Sequence, residues 1–186
     1  MRVYIVSIGY VGRDILESIK SGVESSLPGL VCEIPNDIID LPREAYNRLR
    51  RQYLSEPILD EVLRYALKLE SERGGPCIAL GVMDADIYVP GMNFIFGEAQ
   101  CPGKAAIISL FRLRPEFYGE RPNHNLFIDR AIKEAVHEIG HALGLRHCKN
   151  PLCVMYFSLH IGMTDRKMRQ PCEDCIVKLG RKHPSV

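Results

Sequence analysis

The sequence predicts an α/β (α+β) domain built on a mixed, mostly parallel five-stranded sheet with flanking helices. Segments with the pattern of buried strands alternate with segments of helical spacing, the order that builds parallel sheets. At 186 residues and 46% hydrophobic composition, the chain suits one compact domain with a substantial core. The formal net charge of +1 provides no broad basic field, so neither nucleic acid nor a membrane surface is expected as a partner.

Each element follows from a local pattern. The helical spacing of apolar residues predicts helices over 12–21 and 57–70, the second ended by Gly74-Gly75-Pro76. The shortest predicted strand, 93–96, lies between two turn sequences and is expected at an edge of the sheet. The five predicted strands cover residues 3–8, 30–34, 77–82, 93–96 and 105–110.

The N-terminal segment is predicted to be a buried strand rather than a secretory signal, because it lacks an extended apolar region followed by a small-residue cleavage site. No apolar run approaches the ~20 residues of a membrane span. We therefore expect a cytoplasmic protein without membrane contact, and we assume a monomer.

Residues 137–147 carry the strongest chemical signal in the chain. His137 and His141 are four residues apart, so on a helix they share one face and can direct their imidazoles to one metal ion. Glu138 stands beside that face, where a carboxylate is better placed to act as a general base than as a third ligand. Apolar residues seat this helix, and Asp129 is expected near its start as a cap or first-turn acid.

Gly144 accounts for a third ligand, His147. A continuous helix would rotate residue 147 by about 1000°, equivalent to about −80°, away from the ligand face. Glycine reaches the left-handed conformation that ends helices, which lets the chain return His147 to the metal. Three imidazoles leave a fourth zinc position open, as in catalytic rather than structural zinc sites.

Four cysteines form a second pattern directly after His147. Two closely spaced pairs, separated by 18 residues, are typical of a closed structural zinc site that folds a short tail. Two disulfides or buried thiols are the alternative, although nothing in the chain indicates an oxidising compartment. The four residues are Cys148, Cys153, Cys172 and Cys175.

The string H-E-x-x-H-x-x-G-x-x-H, followed by the cysteines and by Met155, resembles the archaemetzincin family of metzincin zinc metallopeptidases. Residues 80–88 and 93–99 also resemble that family. The resemblance implies a catalytic zinc on the three histidines, Glu138 as the base, Met155 in a turn beneath the metal, and a structural zinc on the four cysteines, hence two Zn²⁺ per chain. Some metzincins have a tyrosine ligand two residues after this methionine. Phe157 occupies that position here, so the adjacent Tyr156 is not assigned to the metal.

The resulting hypothesis is one catalytic domain over residues 1–186 that cleaves peptide bonds in a peptide or protein substrate. Residues 1–147 would form an N-terminal subdomain and 148–186 a C-terminal one with the methionine turn and the cysteine site. The resemblance also implies that substrate adds as a strand to the edge segment, which makes Asn93, Phe94 and Phe96 candidate binding residues. Two alternatives stay open: a catalytically latent, zinc-organised peptide-binding module, and a zinc hydrolase of a non-peptide amide.

Three further features are interpreted more simply. The basic run of Arg166, Lys167 and Arg169 is expected to be solvated surface, as is the mixed basic and aromatic segment 46–53, which could alternatively contact substrate. Cys32 and Cys77 fall in strand patterns and are expected in the core. Cys101 falls in a turn, from which it could approach the catalytic zinc as a thiolate.

Overall fold

The computed structural model describes residues 1–182. Helix α1 and the two long helices α2 and α3 pack against a sheet, and two shorter helices follow in the tail. The strands are β1 (Arg2–Ile8), β2 (Val31–Glu33), β3 (Ile38–Ile39), β4 (Tyr46–Asn47), β5 (Gln52–Leu54), β6 (Cys77–Met83), β7 (Ile87–Tyr88), β8 (Gly97–Ala99) and β9 (Ala105–Ser109). The helices are α1 (Arg13–Ser26), α2 (Ser55–Arg73), α3 (His124–Ala142), α4 (Ile161–Arg166) and α5 (Glu173–Lys182).

The main sheet confirms the predicted mixed, mostly parallel α/β architecture. Its order is β2-β1-β6-β9-β8, with the short β3 also paired to β1, and β8 is the one antiparallel strand among the six that the structure describes in this sheet. Within this sheet, β3 is the strand that the sequence did not predict. A run of two residues is too short to show a strand period.

Two apolar layers cover the faces of this sheet. One layer joins the sheet to α1 and α3, and it contains Ile19, Val136 and the predicted core residue Cys32. The other layer joins it to α2 and contains Ile58, Val62 and Cys77. The strands β1 and β6 are buried almost throughout because they lie between the two layers.

The prediction of a strand over 93–96 is wrong by a few residues. Pairing with β9 is antiparallel and joins Gly97 to Ile108, which places Phe96 opposite Ser109, the last residue of β9. Residues 93–95 therefore run past the end of their partner strand. A single bridge between Ile87 and Ile95 is the remaining β pairing found for them in residues 1–182.

The segment 46–53 forms a small hairpin from β4 and β5, and β5 pairs in parallel with β7. Its Gln52 side chain is buried, so the expectation of a fully solvated face fails at that residue. No helix within residues 1–182 is long and apolar enough to span a membrane.

Candidate active site and thiol cluster

Helix α3 carries the first three residues of the histidine motif. The helix begins earlier than expected, at His124, where the side chain of Asn123 accepts a hydrogen bond of 3.0 Å from the Leu126 amide. Asp129 is consequently not a cap: it lies inside the helix and forms ion pairs with Lys133 and Arg169. An asparagine satisfies the free amides of a first helical turn as well as an aspartate does.

Gly144 adopts φ = 88°, the left-handed conformation that ends the helix. The Leu145 amide then donates to the Gly140 carbonyl at 2.9 Å, which closes the turn. This reversal returns His147 to the other two histidines, and candidate ligand atoms of all three lie within 4.8 Å of one another.

Hydrogen bonds to two carbonyl groups determine the tautomers of the helical histidines. Nδ1 of His137 lies 2.7 Å from the carbonyl oxygen of Val154, and Nδ1 of His141 lies 2.7 Å from that of Leu145. A carbonyl only accepts, so each Nδ1 carries the proton and each Nε2 keeps its lone pair. The two Nε2 atoms are 3.1 Å apart. Two nitrogens on one tetrahedral zinc lie about 3.4 Å apart, so these side chains fit that ion.

Burial supports the neutral state that a metal ligand needs. Desolvation holds the pKa of His137 well below its usual range, and it also lowers the pKa values of His141 and His147. All three imidazoles are therefore neutral near pH 7.

Glu138 is buried beside the histidines and is held close to the edge of the sheet. A Cβ atom at Gly97 would lie 2.7 Å from both Cγ and Oε1 of Glu138, so only glycine leaves room for this carboxyl group. Desolvation raises the pKa of Glu138 well above its usual range, and the carboxylate of Glu134 contributes in the same direction. A raised pKa makes a carboxylate a stronger acceptor of a proton.

The turn around Met155 packs against α3, and the carbonyl oxygen of Val154 in this turn lies 2.7 Å from Nδ1 of His137. The Cys148 amide donates to the Met155 carbonyl at 2.8 Å, and the Met155 side chain is fully buried. A Cβ atom at Gly140 would lie 2.5 Å from Met155 Sδ, so the glycine inside the H-E-x-x-H string allows the sulfur to pack on α3. Sequence reasoning missed this function of Gly140 because the contact joins residues 15 positions apart.

The four cysteines of the tail form a compact cluster. The Sγ atoms of Cys148 and Cys172 are 3.7 Å apart, and those of Cys153 and Cys175 are 3.8 Å apart. These separations exceed an S–S bond, so the thiols are free. Sulfurs around a tetrahedral zinc at about 2.3 Å lie about 3.8 Å apart, so the cluster has the dimensions of a zinc site.

A buried ion pair connects α3 to the tail, and it was not predicted. Glu134 Oε1 accepts from Thr164 Oγ1 at 2.9 Å and from Lys167 Nζ at 3.2 Å, and the lysine also donates to the Tyr156 carbonyl. The Lys167 side chain is 0% exposed, so the expectation that it is solvated surface is wrong. The available signal was Glu134 itself, a charge one turn before Glu138 on the buried face of the helix.

The histidines open into a cavity of about 310 Å³. Phe94 and Phe96 line one wall and Phe157 lies near His147, with 4.8 Å between ring centroids. Asn93 is not among the lining residues. Cys101 lines the cavity, but its Sγ lies 3.3 Å from the Leu145 carbonyl and it does not join the histidine ligand group.

Comparisons with known proteins agree with this geometry. The profile of peptidase family M54 matches residues 13–181. The archaemetzincin of Methanocaldococcus jannaschii is 45% identical over 179 residues, covering 96% of this chain and 93% of that protein. The crystal structure of Archaeoglobus fulgidus archaemetzincin complexed with malonate has a TM-score of 0.77 at 36% identity, covering 96% of this chain and 99% of that one. A zinc-dependent peptidase from Methanocorpusculum labreanum has a TM-score of 0.85 at 28% identity, covering 95% and 99%.

Fold, site and comparisons together define a zinc metallopeptidase. Within that class, the chain belongs to peptidase family M54, the archaemetzincins.

Proposed function

We propose that this peptidase uses two zinc ions, a catalytic ion on His137, His141 and His147 and a structural ion on the four cysteines. The observation that carries the proposal is the convergence of two unprotonated Nε2 atoms 3.1 Å apart, each imidazole being oriented by a backbone carbonyl. A histidine ligand is held in this way in zinc enzymes. The third imidazole completes a set that leaves one coordination position free.

The reaction proposed is hydrolysis of a peptide bond. When bound, zinc supplies Lewis acidity toward the scissile carbonyl group and toward water. The carboxylate of Glu138 accepts a proton from the attacking water and then delivers it to the nitrogen of the leaving amine. Its proximity to the histidines and its raised pKa support this function.

The cysteine cluster is proposed to be structural. Four thiolates close the coordination sphere of a zinc ion, so substrate has no access to it. Cys148 follows His147 directly, and its amide binds the Met155 carbonyl. The structural zinc would thus hold both the third histidine ligand and the methionine turn in place.

We further propose that the chain acts as one catalytic domain, with an N-terminal subdomain over 1–147 and a C-terminal subdomain over 148–186. Ligands of the two proposed ions meet at the boundary between the two subdomains. The ion pair of Glu134 and Lys167 crosses it and supports a rigid connection.

Peptide substrate is proposed to lie along the outer edge of β8, above the histidines. β8 pairs with β9 on one side, and its three residues line the cavity. An extended peptide can add to such an edge as a further strand. Phe94 and Phe96 remain candidate contacts through the cavity wall, whereas Asn93 does not line the cavity and its carbonyl accepts from Arg50 and Gln52 instead.

The test uses Glu138→Gln in zinc-loaded protein, with the exposed Glu17→Gln as the matched control. We expect two zinc ions per chain in both variants, and loss of at least about a thousandfold in turnover of an internally quenched peptide library for Glu138→Gln alone. Surviving turnover would exclude Glu138 as the base. Two zinc ions without cleavage of any peptide by the unaltered chain would favour a latent binding module, and cleavage restricted to small amides would favour a non-peptide amide hydrolase.

A further inference from the structure

The wall of the active-site cavity rests on a charged side chain that does not itself face the cavity. Phe94 lines the cavity, and the guanidinium carbon of Arg112 lies 4.3 Å from the centroid of its ring. Phe94 in turn packs edge-to-face on Phe96, with 5.2 Å between centroids. A cation–π contact therefore connects Arg112 to an aromatic residue of the cavity wall.

Arg112 is held in a defined orientation by Asp86. Its Nε and Nη2 atoms each donate to the Asp86 carboxylate at 2.7 Å, the two-pronged geometry that orients a guanidinium most strictly. The Asp86 side chain is 9% exposed. Asp86 follows β6 and Arg112 follows β9, so the pair is anchored at the carboxyl ends of two central parallel strands.

The same network reaches the backbone of the wall. Gln52 Nε2 donates to Asp86 Oδ2 at 3.0 Å and to the Asn93 carbonyl at 2.9 Å. Arg50 Nη2 donates to the carbonyls of Met92 and Asn93 at 3.0 and 2.9 Å. Side chains from β5 and the turn before it thus hold residues 92–93, and neither Arg50 nor Gln52 lines the cavity.

These contacts replace the missing strand pairing. Residues 93–95 extend beyond the end of β9 and share one isolated bridge with Ile87, so a ladder does not fix their backbone. Asp86, Gln52 and Arg112 do not line the cavity. Their effect on a bound peptide would be transmitted through Phe94 and the Asn93 carbonyl.

We propose that Asp86, Gln52 and Arg112 are positioning residues that hold the Phe94 wall in place and thereby determine how tightly peptide binds. The inference rests on the proposed function, because it assumes that substrate occupies the cavity. A wall that supports bound peptide equally in the ground and transition states contributes to KM and leaves kcat unchanged.

The main variant is Arg112→Lys, which keeps the charge but loses the two-pronged pairing and the flat stacking surface. Arg114→Lys is the matched control: Arg114 also pairs with an aspartate, Asp84, and also lies over a phenylalanine, Phe127, but neither residue lines the cavity. Gln52→Ala is a second variant that removes one of the two side-chain hydrogen bonds to the Asn93 carbonyl and leaves the Asp86–Arg112 pair in place.

Two measurements on zinc-loaded protein decide the proposal. For Arg112→Lys and Gln52→Ala we expect KM for the best-cleaved quenched peptide to rise about tenfold, with kcat within about twofold. Amide hydrogen exchange of residues 92–96 should accelerate in both variants and stay unchanged in Arg114→Lys.

Unchanged exchange at residues 92–96 in both Arg112→Lys and Gln52→Ala would overturn the proposal, as would a fall in kcat at constant KM. The exchange measurement needs no turnover, so it decides the positioning function even if the unaltered chain cleaves no peptide. Absence of peptide cleavage by the unaltered chain would count against the proposed activity alone.

Discussion

Gly97→Ala tests whether the sheet edge holds the Glu138 carboxyl group in place. The added Cβ atom would lie 2.7 Å from Glu138 Cγ and Oε1 and 2.7 Å from the Ile107 carbonyl oxygen, about 0.7 Å short of ordinary contact. The carbonyl belongs to β9, whose ladder restrains it, so the glutamate side chain has to move. A displacement of the order of 1 Å at a reacting group lowers turnover roughly a hundredfold.

The expected result is a fall in kcat of about a hundredfold for Gly97→Ala with zinc content unchanged, since the three atoms nearest to the new methyl group belong to Glu138 and Ile107 and not to a histidine. Overpacking should also lower the free energy of unfolding by about 1–3 kcal/mol, measured by urea denaturation. Gly180→Ala is the matched control, because a Cβ atom there meets nothing within 4 Å. A kcat within twofold of the unaltered enzyme would refute the reasoning, and loss of zinc would show that the methyl group disturbs the ligands instead.

Three further predictions concern the connection of α3 to the tail. Gly140→Ala should lower the free energy of unfolding by about 1–3 kcal/mol in urea titrations, because its Cβ atom would lie 2.5 Å from Met155 Sδ. An unchanged free energy of unfolding would mean that Met155 repacks freely. Lys167→Met should lower the free energy of unfolding by about 3–5 kcal/mol, because Glu134 stays buried without its cationic partner. Adding Glu134→Gln should recover most of that loss. Equal stability of the single and double variants would contradict the ion-pair argument. Cys175→Ser should lower the zinc content from two ions to one and increase proteolysis of the tail, whereas an unchanged zinc content would exclude this cysteine as a ligand.

Much of the histidine site could be inferred from sequence because its geometry is local. Four residues of helix place His137 above His141, and a glycine that reaches positive φ reverses the chain within the next turn. The alternation of strands and helices similarly predicted the parallel sheet, whose strands are long enough to show a period. The short β3 and the exact start of α3 gave weaker local signals.

Local patterns failed where a residue's environment depends on a distant segment. Lys167 belongs to a basic run, yet it is buried because Glu134 lies on the inner face of α3, 33 residues away. The edge strand lies at 97–99 and not at the predicted 93–96, because the length of β9 limits which residues can pair with it. That length is a property of the partner strand. Burial and register are properties of the packed chain, so neither can be deduced from charge or periodicity within one segment.

By itself, the sequence determined the sheet class, the helix that presents His137 and Glu138, and the histidines and cysteines that form the two candidate metal-binding groups. Tertiary structure alone decided which groups surround them: Gly97 against Glu138, and the Asp86–Arg112 pair behind Phe94. The division has one physical reason. Backbone geometry relates residues within a few turns or a strand, whereas contacts between distant segments depend on how the two faces of the sheet are packed.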